Sequence, residues 1–265
     1  MDVLQKFKET QKAGWAHFAP LQTFTTIPAA RLVEHAGVRG GMGVLDVGCG
    51  TGVVSVTAAR MGARVTGLDL TPELLEVART NGRIAAVDVE WREGDVEQLP
   101  FEANTFDAVL SQFGHMFAPR PDVAASEMLR VLKPGGTIAF STWPPEMFMG
   151  RMFAVVAQFL PAPPPGIAPP PLWGDPHVIR ERLGSAVRDI VFARACLEAP
   201  ALSVEHYRDT TERTGGPVVK LVELLSAGDP AKLAIFRDSY DALTRQYFDR
   251  NIVRQDYLMT RATKN

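Results

Sequence analysis

The chain has 265 residues, 46% of them hydrophobic, which suits one large α/β domain with an added lobe and argues against wholesale disorder. Its 28 lysines and arginines stand against 30 carboxylates, and a net charge of −2 excludes a general electrostatic grip on a nucleic-acid backbone. Cys49 and Cys196 lie far apart without metal-ligand spacing, so neither a disulfide scaffold nor a metal site is expected.

Residues 1–36 read as a largely helical segment, a lid or a cover, in which Leu4, Phe7, Trp15 and Phe18 share an apolar face and Pro20 and Pro28 interrupt. Its opening stretch, MDVLQKFKETQKAGW, alternates charges and has no signal-peptide core. No run reaches the roughly 18 apolar residues of a membrane helix. The expectation is a cytoplasmic protein with no membrane partner and no nucleic-acid partner.

From residue 37 onward strands and helices alternate. GVLDVG is a short buried strand, GVVSVTAARMG a helix ended by Gly62, and ARVTGLDL a second strand. TPELLEVARTNG is a helix with Thr71 as N-cap, Pro72 in the first turn and Gly82 at its C-terminal end. VDVEWREGD and FDAVLSQ are the third and fourth strands. RPDVAASEMLRVLKPGG is a helix stopped by Pro134 and two glycines, and TIAFSTW is the fifth strand. This alternation predicts a parallel sheet covered on both faces. The pattern then changes. EMFMGRMFAVVAQFLP predicts an apolar helix, and APPPGIAPPPLWGDP a surface crossover. A helix at DPHVIRERLG, a strand at VRDIVFARACLEA, two or three helices over 203–249 and a last strand at IVRQDYLMTRAT complete the chain.

The chemistry concentrates in VLDVGCGTG. Three alternate glycines after a buried strand, with Asp46 before them and a helix after, let a ligand lie against the backbone. The dinucleotide pattern G-x-G-x-x-G is missed because Gly52 arrives one position early. The P-loop is missed because Val53 and Val54 stand where a lysine and a hydroxyl residue belong. The loop therefore suits a ligand without a multiply charged phosphate. Asp69, about 20 residues on, is placed to accept both hydroxyls of a ribose, and the alternative is that it caps the following helix. Asp95 ends the third strand, where it can meet an adenine amine beside the backbone of Val96. All three carboxylates fall at carboxyl ends of strands, where open α/β sheets bind ligands.

Taken together, VLDVGCGTG, VTGLDLT, GDVEQLPFEANTFDAVLSQ and EMLRVLKPGGTIAFSTW resemble the successive motifs of class I S-adenosylmethionine-dependent methyltransferases. The branch they are most similar to is the methyltransferase-11, ubiquinone- and menaquinone-biosynthesis-like one. The resemblance covers roughly residues 40–143. It implies a Rossmann-like, doubly wound seven-stranded sheet whose last strand is antiparallel, and S-adenosylmethionine as cofactor. By position, Asp46 and the backbone of Gly48, Cys49 and Gly50 would surround the methionine part. Asp69 would hold the ribose, with Leu70 against the adenine, and Asp95 and Val96 would read the adenine edge. Ser111 and Gln112 would line the sulfonium side. Cys49 reads as a packing residue, not a nucleophile.

The reaction so implied is an in-line methyl transfer to a small molecule, in which a general base helps only when the acceptor starts protonated; an RNA or protein acceptor, or a non-catalytic cofactor-binding regulatory role, is the alternative. His115, just after the fourth strand, is the candidate base, with a packing role as its alternative. Two departures from the family pattern, insertions at about 144–175 and 203–249, would cap the acceptor side of a domain spanning 37–265. They offer Tyr207, Arg208 and Arg213, residues that a solvated helix face explains equally well.

Overall fold

Near-continuous apolar strands need cover on both faces, and the computed structural model, which describes residues 3–265, supplies it. The first two residues of the predicted 1–36 segment lie outside that range. The segment forms α1 (Val3–Trp15), a 3-10 turn and α2 (Gln22–His35). Then follow β1 (Gly43–Val47), α3 (Val53–Arg60), β2 (Arg64–Asp69), α4 (Pro72–Ile84), β3 (Val89–Glu93), β4 (Phe106–Gln112), α5 (Pro121–Val131) and β5 (Leu132–Thr142). The second half holds α6 (Phe148–Ala157), α7 (Pro176–Leu183), β6 (Val187–Pro200), α8 (Val204–Thr214), α9 (Gly216–Gly228), α10 (Pro230–Arg245), β7 (Phe248–Asp249) and β8 (Ile252–Lys264).

The sheet order is β3-β2-β1-β4-β5-β8-β6. Strands β1 to β5 pair in parallel, and β8 runs antiparallel to both β5 and β6. The seven-stranded, doubly wound arrangement is as expected, with one addition: the two-residue β7 folds back on β8. Side-chain alternation divides the core. Val44, Ala108, Leu110 and Ala139 meet Leu32, Val33 and Ala58 of α2 and α3 on one face. Leu45, Val109, Ile138 and Phe140 join the larger cluster beneath α5 to α10 on the other.

Local details differ from the sequence reading. Pro28 lies inside α2 and does not end it, and the carbonyl of Thr25 accepts a bond from Gln112 Nε2 at 2.9 Å. Gly82 lies within α4, which runs on to Ile84, and the Thr71 side chain makes no capping bond. Helix α5 ends at Val131, and the Lys133–Gly136 stretch belongs to a longer β5 whose first residue, Leu132, pairs with Phe106. The proline-rich crossover carries no helix or strand before a 3-10 turn at Pro170–Gly174, where buried Trp173 pins it.

Two features shape the ligand-binding end. The strand order reverses between β1 and β4, and such a switch point opens a crevice at the carboxyl ends of the strands. There the turns after β1 and β4 touch backbone to backbone: a Cβ on Gly114 would lie 2.5 Å from the Gly48 carbonyl oxygen and 2.8 Å from the Gly48 Cα. Second, β5 ends its pairing at Thr142↔Leu258, while β6 and β8 stay paired as far as Pro200↔Ile252. The β6/β8 arm therefore overhangs the same end, with α8 to α10 inserted between its strands. Gly114→Ala is expected to lower unfolding free energy by about 1–3 kcal/mol through overpacking against fixed backbone. Urea denaturation of the two proteins measures it, and equal midpoints would refute the contact.

Candidate functional site

A cavity of about 250 Å³ opens at this switch point. Of the eleven residues singled out from the sequence, Asp46, Gly48, Cys49, Gly50, Asp69, Leu70, Asp95, Val96, Gln112 and His115 line it. Ser111 does not. Its hydroxyl is buried, donating to the Val47 carbonyl at 2.6 Å and accepting the His115 N–H at 3.0 Å. It braces the β4 turn.

Each carboxylate has a distinct environment. Asp46 is buried, with Ser55 donating to Oδ2 at 2.6 Å and nothing bonded to Oδ1. Burial, reinforced by the nearby Asp69 charge, pushes its pKa up to about 7 against the Ser55 bond. Asp69 accepts the Gly50 N–H at 2.7 Å and the Thr71 N–H at 2.8 Å. It therefore holds the Thr71 N–H just ahead of α4, and it also ties the glycine loop to β2. Burial raises its pKa too, opposed by those backbone donors. Each of its oxygens keeps a second lone pair for a ligand. Asp95 accepts the Glu97 N–H at 2.9 Å and pairs with the ammonium of Lys8. Lys8 also meets Glu97 at 2.6 Å, so the carboxylate at the end of β3 is held by α1.

The glycine loop leaves room. A Cβ at Gly50, where φ is +54°, would meet nothing within 4 Å among the described residues, so the backbone there borders open space. Cys49 is buried, and desolvation together with the charges of Asp69 and Asp46 raises its pKa. It stays a protonated thiol, as a packing residue should.

The β4 turn is strained. Phe113 takes a left-handed φ of +59°, and its ring stacks on Trp143 at 3.9 Å. The next side chain but one is His115, the expected base. Its ring lies 4.6 Å from Phe140 and 4.7 Å from Trp173, two residues outside the cavity lining. Neither ring nitrogen has a partner. Burial, with Arg182 adding to it, lowers the pKa to about 3, so at neutral pH the ring is a very weak proton acceptor. The packing alternative fits this geometry.

The remaining walls come from elements the motifs do not cover. Helix α1 brings Lys8, Gln11, Lys12 and Trp15, and Phe18 and Phe24 follow. Helix α6 brings Met149, Met152 and Phe153, the β6/β8 arm brings Leu197 and Gln255, and α8 and α10 bring Tyr207, Thr211 and Tyr240. Arg208 turns to Asp241 and Glu212, and Arg213 to Asp209, so neither lines the cavity. Lys8, Gln255 and Tyr240 carried no sequence signal, because each matters only through partners distant in the chain. The hydrophobicity of EMFMGRMF was the one hint of the α6 wall.

Residues 45–140 match the methyltransferase domain family. The chain belongs to the class I S-adenosylmethionine-dependent methyltransferases. It is 36% identical to an uncharacterized protein of Mycobacterium tuberculosis H37Rv, over 88% of this chain and 85% of that one. It is 38% identical to a ubiquinone biosynthesis O-methyltransferase of Xanthomonas oryzae pv. oryzae, over 52% of this chain and 59% of the relative. Its fold is similar to that of Haemonchus contortus phosphoethanolamine N-methyltransferase 2, solved with S-adenosylmethionine. That likeness has a TM-score of 0.56 and 19% identity, and covers 89% of this chain and 52% of that one. The family cofactor, S-adenosylmethionine, fits the residues present: Gly50 opens onto free space and the Asp46 Oδ1 is an unclaimed acceptor. No helix among the described residues is long and apolar enough to cross a membrane.

The raised Asp46 pKa has a measurable consequence for the ligand-free methyltransferase. The folded state holds this proton up to about pH 7, while an unfolded chain releases it near 3.8. The stability that protonation lends is therefore complete below that lower value and lost as pH rises to about 7. Relative to Asp46→Asn, the native protein should lose unfolding free energy between pH 5 and pH 7.5 in urea titrations. A parallel pH profile for both proteins would rule this out.

Proposed function

We propose that the protein transfers the methyl group of S-adenosylmethionine to a small molecule enclosed by α1, α6, the β6/β8 arm and α8 to α10. One observation supports this most: a single cavity joins the glycine loop and its carboxylates to aromatic walls supplied by the two insertions. The 1–36 segment would act as the lid, and the insertions as the acceptor-side cap. When bound, the cofactor supplies a methyl activated by its sulfonium charge.

In this reading Asp46 takes the amino group of the methionine part on Oδ1, beside the backbone of Gly48, Cys49 and Gly50. Asp69 accepts the ribose hydroxyls with its remaining lone pairs. Leu70 and Val96 flank the adenine, and Asp95, held by Lys8, borders its edge. Gln112 lies on the sulfonium side. His115 holds the β4 turn through its packed ring and moves no proton. The work of the chain is then orientation and exclusion of water, contributions that reach on the order of 7–11 kcal/mol in intramolecular reactions. Both cysteines are free, in keeping with a reducing, cytoplasmic setting.

Calorimetry with S-adenosylmethionine, S-adenosylhomocysteine and NAD tests the donor. The first two should bind and NAD should not, and binding of NAD alone would overturn the reading. Asp69→Ala should weaken cofactor binding by about 1.5–3 kcal/mol for each charged hydrogen bond removed. Circular dichroism checks that the variant is folded, and unchanged affinity in a folded variant would refute the ribose role.

A further inference from the structure

The sheet ends on two edges, and they differ. On one side β3 offers 5 residues, with Glu90, Arg92 and Glu93 among them. On the other, β6 runs for 14 residues and has β8 as its one strand neighbour among the described residues. A strand at a sheet edge presents a row of amides and carbonyls that another chain can pair with. Which of these face outward on β6 follows from the ladder. The Ala201 N–H donates to the Asn251 carbonyl at 2.9 Å, one step past the Pro200↔Ile252 pair. Bonded and unbonded pairs alternate along an antiparallel ladder. Ala199, Leu197, Ala195 and Ala193 therefore bond β8, while Glu198, Cys196, Arg194 and Phe192 turn their amides and carbonyls out. The Cys196 carbonyl accordingly takes its bond from α2, from Arg31 Nη1 at 3.0 Å. Pro200, which has no N–H, falls at an outward position, where the ladder loses nothing.

The outward stretch is self-complementary. Arg194 and Glu198 are exposed and flank Cys196 symmetrically, two residues away on either side. Laid antiparallel to a second copy about a two-fold axis at Cys196, the strand sets each Arg194 directly opposite the Glu198 of the other copy, on one face of the sheet. An axis at Arg194 or at Glu198 would set like charges against each other. Among the described residues Glu198 has no ion partner, and Arg194 holds Glu146 at 3.2 Å with both side chains more than half exposed. The same axis carries Leu202, just beyond the strand, towards Ile190 and Val191 of the second copy. Leu202 is 75% exposed and Val191 40%, apolar surface that a single chain leaves in water. The bulge between Arg188 and Val191, where Asp189 takes a left-handed φ of +55°, ends the regular edge and confines the pairing to residues 192–200.

We propose that β6 is a dimer interface, at which two copies of this chain join edge to edge about a two-fold axis at Cys196 and share one continuous sheet. Arg31 covers the centre of the edge in the single chain and is itself exposed. On pairing, the Cys196 carbonyl exchanges that bond for the N–H of the other Cys196. Leu197, between Cys196 and Glu198, lines the cavity together with Gln255 of β8, so the pairing braces that wall. The interface lies beyond β8 from the glycine loop and draws on no part of the donor reading.

Sedimentation velocity of the full chain at rising concentration tests this, and the expected species is a dimer of the 28.9 kDa chain. Arg194→Glu and Glu198→Arg should each weaken the dimer about tenfold, since both attractive contacts become repulsive. The variant carrying both changes should return to within about threefold of the native affinity. Circular dichroism checks that each variant is folded. The Cα atoms of a bonded antiparallel pair lie about 5.5 Å apart, within disulfide reach. Copper–phenanthroline oxidation or a short bis-maleimide should therefore link the dimer through Cys196, Cys49 being buried. Cys196→Ser should lose the link and keep the dimer. A chain that stays monomeric at every concentration, a dimer indifferent to both charge reversals, or one that neither reagent links through Cys196 overturns the inference.

Discussion

The backbone contact between Gly48 and Gly114 is the constraint on which the ligand-binding end depends. The turns after β1 and β4 leave the sheet at the point where strand order reverses, and they approach so closely that neither tolerates a Cβ. This fixes the glycine loop against the β4 turn. Asp69 then fixes the same loop from the other side by accepting the Gly50 N–H, and Ser111 steadies the β4 turn by accepting the His115 N–H. The left-handed Phe113 sits in the middle of this clamp, held by its stack on Trp143. A conformation that a bulky residue adopts at some cost persists only where its surroundings over-determine it, and here they do.

That clamp separates two electrostatic regions. On the side of β1, β2 and β3, carboxylates are buried at cost, and Asp46 and Asp69 have raised pKa values as the measure of it. On the side of the β6/β8 arm the cavity lining carries two neutral pairs, Tyr207 with Gln255 and Tyr240 with Thr211. Helix α1 spans the boundary. Its lysines answer Asp95, Glu97 and Glu93, while Trp15 packs on Phe117 with ring centroids 4.6 Å apart. The segment covering both is anchored by charge at one end and by aromatic contact at the other.

The parallel half of the fold was legible because its signals are local. A buried strand, a glycine turn and an amphipathic helix each show within a dozen residues, and β1 to β5 follow from them. Part of the cavity lining was legible for the same reason: Gly48, Gly50, Asp69 and Asp95 are fixed by their distance from strand ends. Roles that depend on where a side chain turns were not. His115 follows β4 as expected, yet its ring rotates into the packing of Phe140 and Trp173. Thr71 makes no side-chain cap, and its own N–H is instead held by Asp69. Lys8 reaches Asp95 across 87 residues of sequence, a pairing no spacing rule announces. The overhanging β6/β8 arm escaped notice because strand length past a sheet neighbour is a property of the pairing, not of either strand.

The overhang also explains why the two insertions line one cavity. Helices α8 to α10 leave from the end of β6 and return to the start of β8, so their position is set by the arm and not by the parallel sheet. Helix α6 follows β5 directly and packs against the same cluster, with Phe148 near Tyr207 and Tyr247. Residues on this wall can therefore change without disturbing the glycine clamp, since Gly48, Gly114 and Asp69 make their bonds within the parallel half. Met149, Phe153, Tyr207 and Tyr240 on this wall all lie outside residues 45–140, the part of the chain that matches the methyltransferase domain.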